Sequence, residues 1–182
     1  MQHPSRPAWL AIASLAIVVG MGAFSSAAAQ NYNYPQAAVG YQFIHSGATG
    51  TNLSFPAGWF VDITFPIDLP NLTLLGSVDG SYRSESSAKL HTYMGGVRYT
   101  LAPRGKITPY AQALYGSARF SFSIGDESFS DTRSVIDVGG GINYRLSDRW
   151  TFRLGADYRR RASDPAANQL RLNAGIVFGI GG

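Results

Sequence analysis

The chain has 182 residues and no cysteine, and its 15 Lys and Arg stand against 11 Asp and Glu, a formal net charge of +4. That composition excludes a disulfide framework and a thiolate metal site. The cationic surplus is small and scattered, with Arg159-Arg160-Arg161 its longest run, so it gives no footprint for nucleic acid.

Residues 1–29 read as an export signal. Arg6 supplies a positive start, Trp9 to Phe24 carry no charge, and Ala27-Ala28-Ala29 is a small-residue cleavage site. A retained membrane helix is the alternative, but the apolar run is about sixteen residues against the roughly twenty a bilayer span requires. Cleavage would leave residues 30–36 as a short periplasmic segment and 37–182 as one domain. Without Arg6 the balance becomes 14 cationic against 11 acidic side chains, a net of +3.

From there apolar and polar side chains alternate in eight segments separated by turn signals, and a period of two means strands with two unlike faces. The first, about Ala37–His45, sets Val39, Tyr41 and Phe43 on one side, with Gln42 on the other. The second, Gly58–Phe65, sets Trp59, Val61, Ile63 and Phe65 against Asp62 and Thr64. The third, Leu72–Arg83, sets Leu72, Leu74, Val78 and Tyr82 against Thr73, Ser77, Asp79 and Ser81. The fourth, about Lys89–Leu101, sets Tyr93, Val97, Tyr99 and Leu101 against Thr92, Met94, Gly96 and Arg98.

The fifth segment, Ile107–Phe122, changes register: Ala111, Ala113 and Tyr115 share a face, but Phe120 and Phe122 fall on the other. A bulge near Ser117 would reconcile them. The sixth, about Ser134–Arg145, opposes Ile136, Val138, Ile142 and Tyr144 to Asp137, Gly139, Gly141 and Asn143. The seventh, Trp150–Tyr158, opposes Trp150, Phe152, Leu154, Ala156 and Tyr158 to Thr151, Arg153, Gly155 and Asp157. The eighth, Gln169–Ile180, opposes Leu170, Leu172, Ala174, Ile176, Phe178 and Ile180 to Arg171, Asn173, Gly175 and Val177.

Connections alternate as well. Pro66–Asn71, Ala102–Lys106 and Ser147–Arg149 are short turns, while Ser46–Ala57, Ser84–Ala88, Ser123–Arg133 and Arg161–Asn168 read as loops that are generally longer and polar. This is the arrangement of an eight-stranded antiparallel up-and-down transmembrane β-barrel, an all-β fold with the short turns and both ends on the periplasmic side. A soluble sandwich shares the alternation, but its outer face meets bulk water and should be rich in Lys and Glu. Here the polar face is Gly, Ser, Thr and Asn with matched Asp and Arg, which suits a narrow enclosed lumen. In that lumen Asp62, Asp79, Arg98, Asp137, Arg153, Asp157 and Arg171 are expected to form an ion-pair network, joined by Gln42, Gln112 and Asn143. An eight-stranded barrel is just wide enough for side chains to fill. A fixed plug is therefore expected rather than a gate or ion path.

The chain resembles the small eight-stranded outer-membrane proteins of the OmpA/OmpX-like family, often called porin-like or opacity-type. The residues carrying the likeness are Thr108-Pro109-Tyr110-Ala111 with Tyr115-Gly116, the Gly-rich stretch Val138–Leu146 followed by Ser147-Asp148-Arg149-Trp150, and the final Asn173–Ile180. The resemblance implies a Gram-negative bacterial outer membrane and insertion by the outer-membrane assembly machinery. Asn173, Gly175, Phe178 and Ile180 would form the C-terminal assembly signal, although the chain continues to Gly181-Gly182 where family members commonly end on an aromatic residue.

The function expected is that of a non-enzymatic monomeric barrel whose external loops serve envelope structure or surface interaction, without a cofactor or metal. Arg159, Arg160 and Arg161, where the seventh strand leaves the membrane, are candidates for contact with lipopolysaccharide phosphates. Asp126, Glu127 and Asp131 in the loop Ser123–Thr132 are candidates for a cation or partner, or for plain solvation. A small or gated channel is the alternative. A lipid-modifying enzyme is a further one, requiring a Ser, a His in reach and an orienting carboxylate. Only His45 and His91 follow the signal, near Ser46 and near Ser84, Glu85 and Ser86 respectively, and no motif joins them.

Overall fold

The computed structural model describes residues 34–48, 51–83, 88–124, 127–162 and 167–180. The export signal lies outside them. Nine strand segments follow in chain order: β1 Gln36–Ala48, β2 Thr51–Phe55, β3 Ala57–Pro66, β4 Leu72–Arg83, β5 Ala88–Thr100, β6 Ile107–Ile124, β7 Glu127–Arg145, β8 Trp150–Arg161 and β9 Ala167–Gly179. Each pairs antiparallel with its neighbour, and β1 also pairs with β9 from Gln36↔Gly179 to Gly47↔Asn168, so the sheet closes.

Nine segments make eight staves because β2 and β3 are halves of one strand. β1 pairs with β3 up to Tyr41↔Trp59 and with β2 from Ile44↔Phe55. Two residues of β1 thus oppose three around Pro56. Proline has no N–H to give the ladder, and a bulge is where a sheet tolerates it. The bulge expected near Ser117 is absent: β6 keeps unbroken register with β5 from Tyr110 to Ser121 and with β7 from Ile107 to Ile124. Phe120 and Phe122 sit on the inner face because the interior itself turns apolar there. They pack against a cluster that includes Ile44, Phe55, Leu90, Ala118 and Val135. The wholly polar lumen expected from the alternation is corrected accordingly.

The expected loops also differ from the structure. Ser46–Ala57 is largely the hairpin of β1 and β2, and Ser123–Arg133 is largely the paired tip of β6 and β7. Those two strands, at 18 and 19 residues, outrun the 10 to 13 of most others, and every residue from Phe129 to Ser134 is exposed. At the opposite end the turns are tight. Asn71 (φ 64°) and Gly105 (φ 63°) take the left-handed backbone that Asn and Gly tolerate.

Apolar side chains point outward. Tyr41, Tyr93, Tyr115 and Ile136 are each more than half exposed, while Asp79 and Asp137 are 0% exposed. A water-soluble protein would reverse this; in lipid the outward residues meet hydrocarbon, and closure leaves no unpaired edge. Phe65, Tyr99, Tyr144, Trp150 and Phe178 mark the short-turn end as an aromatic belt, with Trp150 and Phe178 5.7 Å apart.

Candidate functional site

The inward set of each strand converges on a network of charged side chains. Asp62 comes from β3, Asp79 from β4, Arg98 from β5, Asp137 from β7, Arg153, Asp157 and Arg159 from β8, and Arg171 from β9. All are 0–3% exposed. Arg159 is the hub: its Nη2 donates to Asp79 Oδ2 at 2.7 Å, its Nε to Asp137 Oδ2 at 3.0 Å and its Nη1 to Thr92 Oγ1 at 3.2 Å. β4 and β8 are on opposite sides of an eight-stave ring, so this one guanidinium bridges the lumen. Arg171 reaches Asp157 at 3.3 Å and Asp137 at 3.6 Å, and donates through Nε to Gln42 Oε1 at 2.7 Å.

A second group surrounds Asp62. Arg98 Nη2 lies 2.9 Å and Arg153 Nη1 3.4 Å from the same Oδ2. Arg153 Nε also donates to Asn143 Oδ1 at 2.9 Å, and Arg98 Nε to Gln112 Oε1 at 3.0 Å. Gln112 joins the two groups, since its Nε2 donates to Asp157 Oδ1 at 3.0 Å. Both guanidiniums lie over the Tyr110 ring, Arg98 at 4.8 Å and Arg153 at 5.2 Å from its centroid. Gly155 makes room for that ring: a Cβ there would stand 2.5 Å from the Tyr110 hydroxyl and 2.7 Å from Asn173 Oδ1.

The cationic members are all arginine, whose planar fork satisfies two or three acceptors at once where lysine offers a single point charge. Buried ions cost several kcal/mol each unless paired and hydrogen-bonded. The amide groups of Gln42, Gln112, Asn143 and Asn173 take part, with Asn173 donating to Asp157 Oδ2 at 2.9 Å. Together these paired side chains fill the barrel interior at this level.

Arg159 is not placed for contact with lipopolysaccharide, as the run Arg159-Arg160-Arg161 suggests: its side chain has no exposed surface and belongs to the lumen. The signal was available, for the odd-numbered face Arg153, Gly155, Asp157 continues to Arg159. Arg161 shares that face and is half-buried 5.6 Å from the Phe120 ring, so it too turns inward. Arg160 alone of the three points outward and is exposed. Tyr110 was also missed as a lumen residue, because strand-end aromatics are expected in the interfacial belt.

Other candidates fall as follows. Asn173 and Gly175 are inward and buried, Phe178 packs on Trp150, and Ile180 is exposed. Asp126, Ser84, Glu85 and Ser86 lie outside the described residues. Asp131 accepts from Arg133 Nε at 2.9 Å on the exposed hairpin. His45 is bonded through Nδ1 to Ser54 Oγ at 2.9 Å, a contact across the β1–β2 hairpin with a serine other than its chain neighbour Ser46. His91 meets the Tyr82 hydroxyl at 3.3 Å, and the same hydroxyl accepts from Trp59 Nε1 at 3.2 Å.

A closed eight-stranded barrel with lipid-facing apolar residues and a filled, charged interior defines the class of small transmembrane barrels. The chain matches the outer membrane protein beta-barrel domain family over residues 14–178 and belongs to that family. Its place is therefore the bacterial outer membrane. In fold it is similar to neisserial surface protein A, with a TM-score of 0.71 at 13% identity over 80% of this chain and 97% of that one. It is also similar to Ail, the attachment invasion locus protein of Yersinia pestis, with a TM-score of 0.57 at 16% identity over 80% of this chain and 99% of that one. No curated protein matches by sequence.

Proposed function

We propose that the protein is a non-enzymatic outer-membrane barrel that acts through its extracellular hairpins, with an interior that is a fixed plug. The observation that carries this reading is the Arg159 bridge: a side chain with no exposed surface, tied to Asp79 and Asp137 on other staves, blocks the axis. Apolar residues packed around Ile44, Leu90 and Val135 add a second obstruction. Sealing the lumen leaves the outer rim as the working surface, and among the described residues the β6–β7 hairpin has the longest strands there. Function on projecting segments above a rigid scaffold is the general pattern.

Recording from planar bilayers tests it. Purified barrel should give no steady conductance, and neutralising Arg98 or Asp137 should create none of defined size. A stable open level in the native protein that shifts with either substitution would replace the plug by a channel.

At the same rim, contact with lipopolysaccharide phosphates rests on Arg160 together with Lys89 and Arg119, all exposed on the lipid-facing side of their strands near the extracellular end. Insertion by the assembly machinery rests on the last strand, with Phe178 and Ile180 as its apolar marks. An enzymatic reading is favoured only by the His45–Ser54 hydrogen bond. Among the described residues His45 bonds to no carboxylate, so the pair lacks the group that would orient the ring.

A further inference from the structure

The short-turn end of the barrel contains a cavity of about 300 Å³, bounded by the turn residues Pro66 to Leu72 and reaching Arg98, Arg153 and Asn143. Arg98 and Arg153 are 3% and 2% exposed, so the cavity meets them below the surface. Over the whole network four aspartates face four arginines, but the balance is uneven along the tube. Arg159 and Arg171 are paired with three carboxylates, Asp79, Asp137 and Asp157. Arg98 and Arg153 share one, Asp62. The group at the cavity thus carries one cation in excess, and the opposite surplus lies among Asp79, Asp137 and Asp157.

The hydrogen bonding leaves a donor unmet beside the cavity. Asp62 receives both guanidiniums on Oδ2, and Arg98 Nη1 is buried without a partner. Asp62 Oδ1 is unpartnered as well, because the Arg98 contact is end-on rather than a two-pronged fork. An unmet guanidinium N–H in a low-dielectric recess is costly, and an oxyanion is the ligand that accepts a charge-assisted hydrogen bond there. Thr100 and Asn143 add polar side chains to the lining; Asp68 is the one acidic lining residue, and it is exposed on the turn, where water screens it.

We propose that this vestibule binds a small oxyanion, a phosphate or a carboxylate, drawn from the periplasmic side and held between Arg98 and Arg153. The size of the cavity restricts the ligand to a few heavy atoms or to the end group of a larger molecule. Chloride satisfies the charge as a single acceptor, whereas an oxyanion offers separate oxygens to Arg98 Nη1 and to the polar side chains of Thr100 and Asn143, so an oxyanion is preferred to it.

The experiment uses protein purified from outer membranes in detergent micelles, with its arginine Nε–Hε signals followed by NMR. Sodium phosphate, sodium acetate and sodium chloride are each added at constant ionic strength. Saturable shifts of the Arg98 and Arg153 signals with phosphate or acetate, and not with chloride, are expected; which of the two saturates first identifies the class. Arg153→Gln should weaken the interaction by roughly tenfold or more, the value of a lost charged hydrogen bond. Asp62→Asn, which removes the competing carboxylate, should strengthen it. Heat-modifiable gel migration reports whether each variant is folded, and the opposite signs of the two variants separate binding from damage. Equal, unsaturated shifts with all three salts, or binding indifferent to both substitutions, overturn the proposal and leave bridging water as the partner of Arg98 Nη1.

Discussion

Arg159 and Asp79 lie 80 positions apart in the chain and meet across the barrel, Nη2 to Oδ2 at 2.7 Å, with neither side chain exposed. The contact joins staves on opposite sides of the ring, so it braces the tube where strand pairing alone only links neighbours.

Removing one end of that brace strands the other. Arg159→Ala leaves Asp79 and Asp137 buried without their shared cation, which costs about 3–5 kcal/mol. Urea-induced unfolding from lipid vesicles, followed by tryptophan fluorescence, measures it. Combining Arg159→Met with Asp79→Asn should recover part of the loss; a double variant weaker than the sum of the singles contradicts the pairing.

Gly155 is set against the Tyr110 hydroxyl and Asn173, so Gly155→Val should push the ring off Arg98 and Arg153. Overpacking of this kind costs about 1–3 kcal/mol. Gly76, which a Cβ would leave almost untouched, with its nearest neighbour 4.0 Å away, serves as the comparison, and Gly76→Ala should alter stability little. Equal effects at both sites would mean the interior around Tyr110 and Asn173 yields to a larger side chain.

Ser54→Ala and His45→Ala should leave lipid A unchanged, judged by mass spectrometry of extracted lipid from cells with and without the protein. Any protein-dependent change in acylation that disappears in both variants revives the enzymatic reading.

Changing Lys89, Arg119 and Arg160 to alanine together should lower the lipopolysaccharide that copurifies with the barrel, and the remainder should become less sensitive to salt, since charge contacts are screened. Arg159, being internal, is excluded from this set. Unaltered copurification in the triple variant argues against a phosphate contact at this rim.

Sidedness was legible in the residues alone. Trp150, Phe152, Leu154 and Tyr158 against Thr151, Arg153 and Asp157 define two faces, because a strand turns successive side chains to opposite sides and hydrocarbon tolerates only one of the sets. The eight segments and the short turns at one end follow from the same local rule. The break at Pro56 was not legible, since it depends on which residues of β1 lie opposite. Neither was the reading of Phe120 and Phe122, which local periodicity assigns to a bulge and closure assigns to an apolar layer inside. Partners within the lumen lay beyond the sequence for a geometric reason: Asp137 is the cross-strand neighbour of Arg159 on β7, but Arg159 reaches Asp79 only after eight staves have closed into a ring. Charge alone would have paired Arg159 with any of four aspartates, and the diameter of the barrel made the choice.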